Sequence, residues 1–237
     1  MSTESISVPA HFNGPLDSGQ GGYSAGVAAG LLSGAVEVSL RSPVPLDAEL
    51  PVVRDGDGSL RVLDGDTLVM QARPAPALDV QVPPPVTVEQ ARHASSGYRG
   101  VSDGAFSRCF VCGLARDDAF GVFAGEVEGR DVVASPWTPP AWTADADGQV
   151  SEEFVWAALD CPTFFAVYLR QELPMSVLAQ LTARVDGPVV AGEEHVVMSW
   201  PLNVDGRKRH AGAAVLSGDG EPLAVAEALM IEPRAAQ

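Results

Sequence analysis

The sequence is short of positive charge: 15 lysines and arginines stand against 31 aspartates and glutamates, and Lys208 is the one lysine. A net charge of −16 argues against a general nucleic-acid binder, because neutralising phosphates needs a basic face. Cysteine is scarce and odd in number. Three thiols cannot all pair, which fits a reducing compartment. No apolar run approaches the roughly 20 residues of a membrane span, and no basic-then-apolar segment opens the chain. The expectation is a cytoplasmic protein that engages neither nucleic acid nor membrane. Apolar residues are not scarce: they make up 46% of 237 residues, with mean hydropathy +0.10. That suffices for a packed core in one large domain or two small ones.

Cys109 and Cys112 form a C-x-x-C, the one spacing here that suggests metal or redox chemistry. A structural zinc site wants two more ligands, and the chain has no second C-x-x-C or H-x-x-H. Only Cys161 and four scattered histidines remain. The expectation is therefore no metal, with the thiols packing as small apolar groups.

The chain is organised around Ser151 to Leu169, SEEFVWAALDCPTFFAVYL. Ser151 is a good N-cap, and Glu152 and Glu153 complement the positive end of a helix. Beyond them the segment is apolar on every side, so this helix should be wrapped by something else. A single carboxylate, Asp160, sits in its middle. A buried acid costs several kcal/mol unless it is bonded or paired, so it needs a reason. Pro162 cannot donate to the preceding turn and should kink the helix beside it.

Earlier in the chain, Ser18 to Gly34 carries glycines at 22, 26, 30 and 34. On a helix Gly21–Gly34 that spacing lines one face and predicts close approach of another backbone or a ligand. A short strand is expected before it, within 1–17. After it the period becomes two, with strands expected over 36–40, 49–54, 59–63 and 67–73, split by Asp-Gly turns. Residues 74–85 are rich in proline and alanine and read as an extended linker, followed by a short helix over 86–95. From Arg108 the order begins again: a helix, then strands over 178–185, 194–202, 208–217 and 222–231. An internal duplication is the economical reading, aligning the glycine helix with the Asp160 helix. VSLRSPVPLDAEL (38–50) and TARVDGPVVAGEE (182–194) also hold the same place in the two halves. The divisions expected are residues 1–75, a linker over 76–107, and residues 108–237. Each half, an amphipathic sheet plus one apolar helix, covers its apolar face by curling round that helix.

Several motifs carry a resemblance. RCFVCGLARDDAFGVFAG (108–125) is similar to the C-x-V-C-G segment of many hotdog proteins of the thioesterase superfamily. WAALDCPTFFA (156–166) resembles the LaD-t-a-f part of the phenylacetyl-CoA-type thioesterase helix. GQGGYSAG (19–26) resembles the HGGy-a helix start of acyl-CoA thioesterases, and SGDGEPLAVAEALMI (217–231) resembles the superfamily's closing strand pair. The resemblance implies an α+β double hotdog, two antiparallel sheets each wrapped round a long central helix. It also implies a substrate that is an acyl thioester, with coenzyme A as part of it and no other cofactor.

In those thioesterases an H-G-G at one helix start binds the thioester oxygen, and the carboxylate eight residues after the first glycine comes from the facing subunit. In the first half, Gln20 takes the histidine's place, Gly21 and Gly22 are present, and the acid's place falls on Ala29. In the second, Ser151, Glu152 and Glu153 stand for H-G-G, and the acid's place is Asp160. The losses are complementary, so one complete site should remain between antiparallel helices. The resemblance implies Gly21 and Gly22 as amide donors, Asp160 as general base or nucleophile, and Gln20 and Thr163 as orienting groups. Tyr23, Gly26, Trp156 and Phe164 would line the acyl site, and Arg207, Lys208 and Arg209 would grip coenzyme A phosphates. For Asp160 the alternative is a cap on the Pro162 kink; for the basic cluster it is a solvated hairpin tip. A hotdog hydratase lacks its D-x-N-P-x-H or P-G signature here, and a non-catalytic acyl-binding protein remains the other class. Sheet edges leave a homodimer of the tandem unit open.

Overall fold

The computed structural model describes residues 4–75, 78–101, 104–171 and 175–233. Eleven strands form one sheet: β1 (Ser5–Ile6), β2 (Val36–Leu40), β3 (Leu50–Arg54), β4 (Leu60–Asp64), β5 (Thr67–Pro74), β6 (Gly125–Glu126), β7 (Val133–Trp137), β8 (Val177–Val185), β9 (His195–Asp205), β10 (Lys208–Leu216) and β11 (Pro222–Ile231). Among the described residues three α-helices accompany it: α1 (Gly21–Ala29), α2 (Val88–Ser96) and α3 (Glu152–Gln171). The strands expected from period and turn chemistry are present, with ends moved by one to three residues. The D-G turns hold as expected, with Gly58 and Gly65 at φ +85° and +56°.

The two sheets expected are joined into one. Strand order is β1-β3-β4-β5-β2-β8-β11-β10-β9-β7-β6, every pair antiparallel. β2 pairs with β8 at the seam, Val38 opposite Leu181. Read outward from there, β2, β5, β4, β3 on one side mirror β8, β11, β10, β9 on the other. Two sheets that each end in an unpaired strand satisfy those edges by pairing with each other.

Side chains of β10 and β11 alternate between two cores. Ala211, Ala213, Val215, Ala224, Ala226 and Ala228 join the large core that holds α1 and α3. Ala214, Leu216 and Val225 face a second, smaller core. That second core is closed by Leu78, Val86, Ala91 and Ala94, so the segment expected to be a linker packs on the outside of the second half's sheet. Within it α2 is held by a capping box between Thr87 and Gln90.

α1 is shorter than expected. It ends at Ala29, Gly30 is its C-cap, and Gly34 lies beyond it at φ +76°. α3 runs through Pro162 without interruption. Its first turn is opened by the Phe154 amide donating to the Ser151 carbonyl at 3.0 Å. No helix among the described residues is long and apolar enough to cross a membrane.

Candidate active site

The start of α1 meets the middle of α3 because two glycines leave room. A Cβ on Gly22 would stand 2.5 Å from the Trp156 carbonyl oxygen and 2.6 Å from Asp160 Cβ. One on Gly26 would stand 2.6 Å from Glu153 Cα and 2.8 Å from Trp156 Cβ. Real Cβ atoms do not come so close, so the glycine spacing is what allows the two backbones to touch. As α1 advances from 22 to 26, its neighbour on α3 recedes from 160 to 153. The helices are antiparallel.

Asp160 is 6% exposed. Its Oδ2 accepts from Gln20 Nε2 at 2.6 Å and from the Gly22 amide at 2.8 Å. Gln20 is the N-cap of α1, and its Oε1 accepts from the Tyr23 amide at 2.6 Å. Only the oxygen of a carboxamide can accept, so capping the helix turns the NH₂ end of Gln20 toward the acid. Burial pushes the Asp160 pKa up to about 7; the Gly22 N–H works against that rise, and charge on Cys109 adds to it. No hydrogen bond reaches Oδ1 among the described residues. Gly21 opens α1, so its N–H has no intrahelical acceptor, and it donates to no group among the described residues.

Beside these groups is a cavity of about 380 Å³ whose wall includes Gln20, Gly21, Asp160, Cys161, Phe164 and Leu178. It is mostly apolar, and its wall includes the exposed Arg41. An ionisable carboxyl, a helix-start amide and an apolar chamber thus share one space. That combination can hold an acyl chain and polarise a carbonyl next to a base.

The other expected site residues divide. Phe164 lines the cavity. Trp156 and Gly26 belong to the helix–helix contact, not to the cavity wall. Tyr23 stacks on Phe12 at 4.2 Å within an aromatic cluster containing Phe110 and Phe154. Burial there raises its pKa to about 12, so it stays neutral. The Thr163 hydroxyl donates to the Asp160 backbone carbonyl at 2.6 Å, a bond within its own helix, and does not touch the carboxyl. Arg207 donates to the Glu232 carbonyl at 2.7 Å and Arg209 to the Glu232 carboxylate at 3.0 Å. Neither these arginines nor Lys208 lines the cavity.

Two groups on the cavity wall escaped sequence reasoning. Arg41 carries its charge at the rim, and nothing in the alternation of β2 marks it out from a solvated residue. Ser176 is 4% exposed and its hydroxyl has no partner among the described residues. Cys109, Cys112 and Cys161 also reach this wall, and their sulfurs lie within 4.8 Å of one another. Hydrogen bonds from the thiols of Cys112 and Cys161, then backbone amides, hold Cys109 well below the ordinary thiol range.

No family model matches the sequence, and no curated protein matches it significantly. Solved structures do. The tesB protein of Mycobacterium avium subspecies paratuberculosis is 15% identical, with TM-score 0.57 over 90% of this chain and 87% of that one. A protein provisionally named a thioesterase, from Novosphingobium aromaticivorans, is 12% identical, with TM-score 0.61 over 97% and 95%. A hotdog-fold protein of unknown function from Alicyclobacillus acidocaldarius is 14% identical, with TM-score 0.56 over 98% and 93%. At such identities the likeness is one of fold: this chain is a hotdog-fold protein, and it resembles those neighbours along almost its whole length.

Proposed function

We propose that this protein hydrolyses acyl thioesters, of coenzyme A or of an acyl carrier protein, at one site between two hotdog units arranged in tandem. The observation that carries the reading is Asp160 of the second half bound to the Gly22 amide and Gln20 of the first, on the wall of an apolar cavity. The mirrored strand order about the β2–β8 seam supports the tandem arrangement. So does a neighbour provisionally named a thioesterase that matches over nearly its full length.

In this reading the acyl chain lies along Phe164 and Leu178, and the thioester oxygen meets the free Gly21 N–H. Asp160 Oδ2 is held by its two donors, leaving Oδ1 to face a water. The carboxylate takes a proton from that water as its oxygen bonds the carbonyl carbon. The carbon–sulfur bond then breaks, and the proton passes to the departing thiolate, so acid and free thiol leave together. Arg41 at the rim is the cation placed to meet the phosphates of coenzyme A.

The test is thiol release from acyl-CoAs of graded chain length by the wild type and by Asp160→Asn. Cleavage by the wild type that collapses in the variant supports the reading. Acyl chains that bind without any thioester being cut would instead make this a non-catalytic acyl-binding protein.

A further inference from the structure

The hydrolytic reading leaves three thiols unused, and they are the part of the cavity wall with the most defined chemistry. Cys109 and Cys112 sit on the loop before β6, and Cys161 follows Asp160 on α3. The loop turns tightly: the Gly113 amide donates to the Cys109 carbonyl at 2.9 Å. A Cβ on Gly113 would lie 2.6 Å from both the nitrogen and the oxygen of Cys109, so only glycine permits this C-x-x-C-G turn. The turn brings both sulfurs toward Cys161.

We propose that Cys109, Cys112 and Cys161 form a three-thiolate binding site for a zinc ion, with the fourth coordination position open to the cavity beside Asp160. Zinc–sulfur bonds of about 2.3 Å in a tetrahedral site set sulfur–sulfur separations of about 3.8 Å. Cys109 and Cys161 are already 3.8 Å apart, and all three sulfurs fall within 4.8 Å of one another. A slight inward movement of one side chain completes the face. Cys109 and Cys112 are buried and Cys161 partly so, and cysteine sulfurs are a soft ligand set. Zinc fits this set better than magnesium or calcium, which take oxygen ligands.

No histidine or carboxylate completes the group among the described residues. The fourth ligand is thus a water or a group of the bound molecule, entering from the cavity that all three cysteines line. Coordination takes each cysteine as thiolate, so the ion displaces whatever protons the thiols carry and no electron is transferred. The ion would tie the Cys109–Gly113 loop to α3 one residue from Asp160. This inference stands on the sulfur geometry and does not depend on the hydrolytic reading.

The experiment uses the full chain, reduced and stripped with a chelator, then titrated with cobalt(II) and back-titrated with zinc. One equivalent of cobalt should produce thiolate-to-cobalt charge-transfer and tetrahedral d–d absorption, and zinc should bleach both. Zinc should also raise the melting temperature and protect three thiols from a thiol reagent. Cys109→Ser, Cys112→Ser and Cys161→Ser should each weaken cobalt binding at least tenfold. Asp160→Asn should keep the metal even where it abolishes hydrolysis, so the two readings fail separately. Absence of the cobalt–thiolate bands in the folded wild type, with all three thiols reacting equally with and without zinc, overturns the proposal. So does ready oxidation to a Cys109–Cys161 disulfide in a chain that takes up no metal. Since these readouts use the wild type, misfolding of a serine variant cannot hide either result.

Discussion

The two helices that meet at the candidate site differ in what each retains. α1 has nine residues, begins Gly-Gly after the Gln20 cap and carries no acid; the acid's place holds Ala29, buried in the core. α3 has 20 residues, begins with Glu152 and Glu153 where the glycines would stand, and carries Asp160. Outward from the seam, β2, β5, β4 and β3 have counterparts in β8, β11, β10 and β9. The packing thus accommodates two different helix sequences, because it asks only for an apolar helix on a curled sheet. On the proposed function, the chemistry needs a few groups at one junction only.

That asymmetry can be broken most forcefully at Asp160. In a thiol-release assay Asp160→Asn should lose about 10²–10⁴-fold in kcat, the worth of a positioned general base. The reciprocal change, Ala29→Asp, should not create a second site. It places a carboxylate in the core with no glycine amides to receive it, and urea unfolding should show a loss of about 3–5 kcal/mol.

The amide side can be isolated at Gly21. Gly21→Pro removes the N–H while suiting the first helical position, and Gln20 already has the extended backbone (φ −63°, ψ 132°) that a following proline wants. Gly21→Ala keeps the N–H and brings a Cβ to 3.0 Å from Leu178 Cδ2 and 3.1 Å from Asp160 Oδ2, as the proline ring would. The proline should cost about 10²–10³-fold in kcat and the alanine far less. Equal losses would mean that the site suffers from crowding and not from the missing donor.

The pH dependence of stability sharpens the same contrast. The folded pKa of Asp160, about 7, lies above the roughly 3.9 of an unfolded aspartate. Its contribution is therefore complete below about pH 4 and is lost as pH rises through about 7. Measured on the metal-free chain, the stability of Asp160→Asn relative to wild type should grow by about 2–3 kcal/mol from about pH 5 to about pH 8. The smallest expected effect is at the helix crossing. Gly22→Ala must displace the Trp156 carbonyl and Asp160, and should lower stability by about 1–3 kcal/mol in the same unfolding assay.

Much of the fold was legible along the chain. β2 to β5 and β8 to β11 announce themselves by alternation and by Asp-Gly or Gly-Asp-Gly breaks, which act over a few residues. The resemblance to acyl-CoA thioesterases, applied to both halves, also directed Asp160 to the Gly21–Gly22 helix start, where the Gly22 amide bonds it. Other features were out of reach because they are settled between segments far apart. His195 to Trp200 is a run of buried residues, which hid the fact that α2 covers the outer face. The Gly21–Gly34 expectation ran past Ala29, because a glycine stripe looks alike within a helix and beyond its end. Arg207 to Arg209 looked like a phosphate clamp, yet two of its members are spent on Glu232. Cys161 stands about 50 residues from Cys109 in sequence, and only the approach of α3 to the loop makes a triad of them.

By itself the sequence determined which segments are strands and helices, which helix keeps an acid and which keeps glycines at its start. Periodicity, turn residues and backbone freedom act locally, and a single chain displays them. Which helix face touches which, what lies over the outer sheet and which side chains share the cavity were decided only in three dimensions. Those outcomes depend on the best joint burial of surfaces from distant segments, an optimum that no stretch of the chain expresses alone.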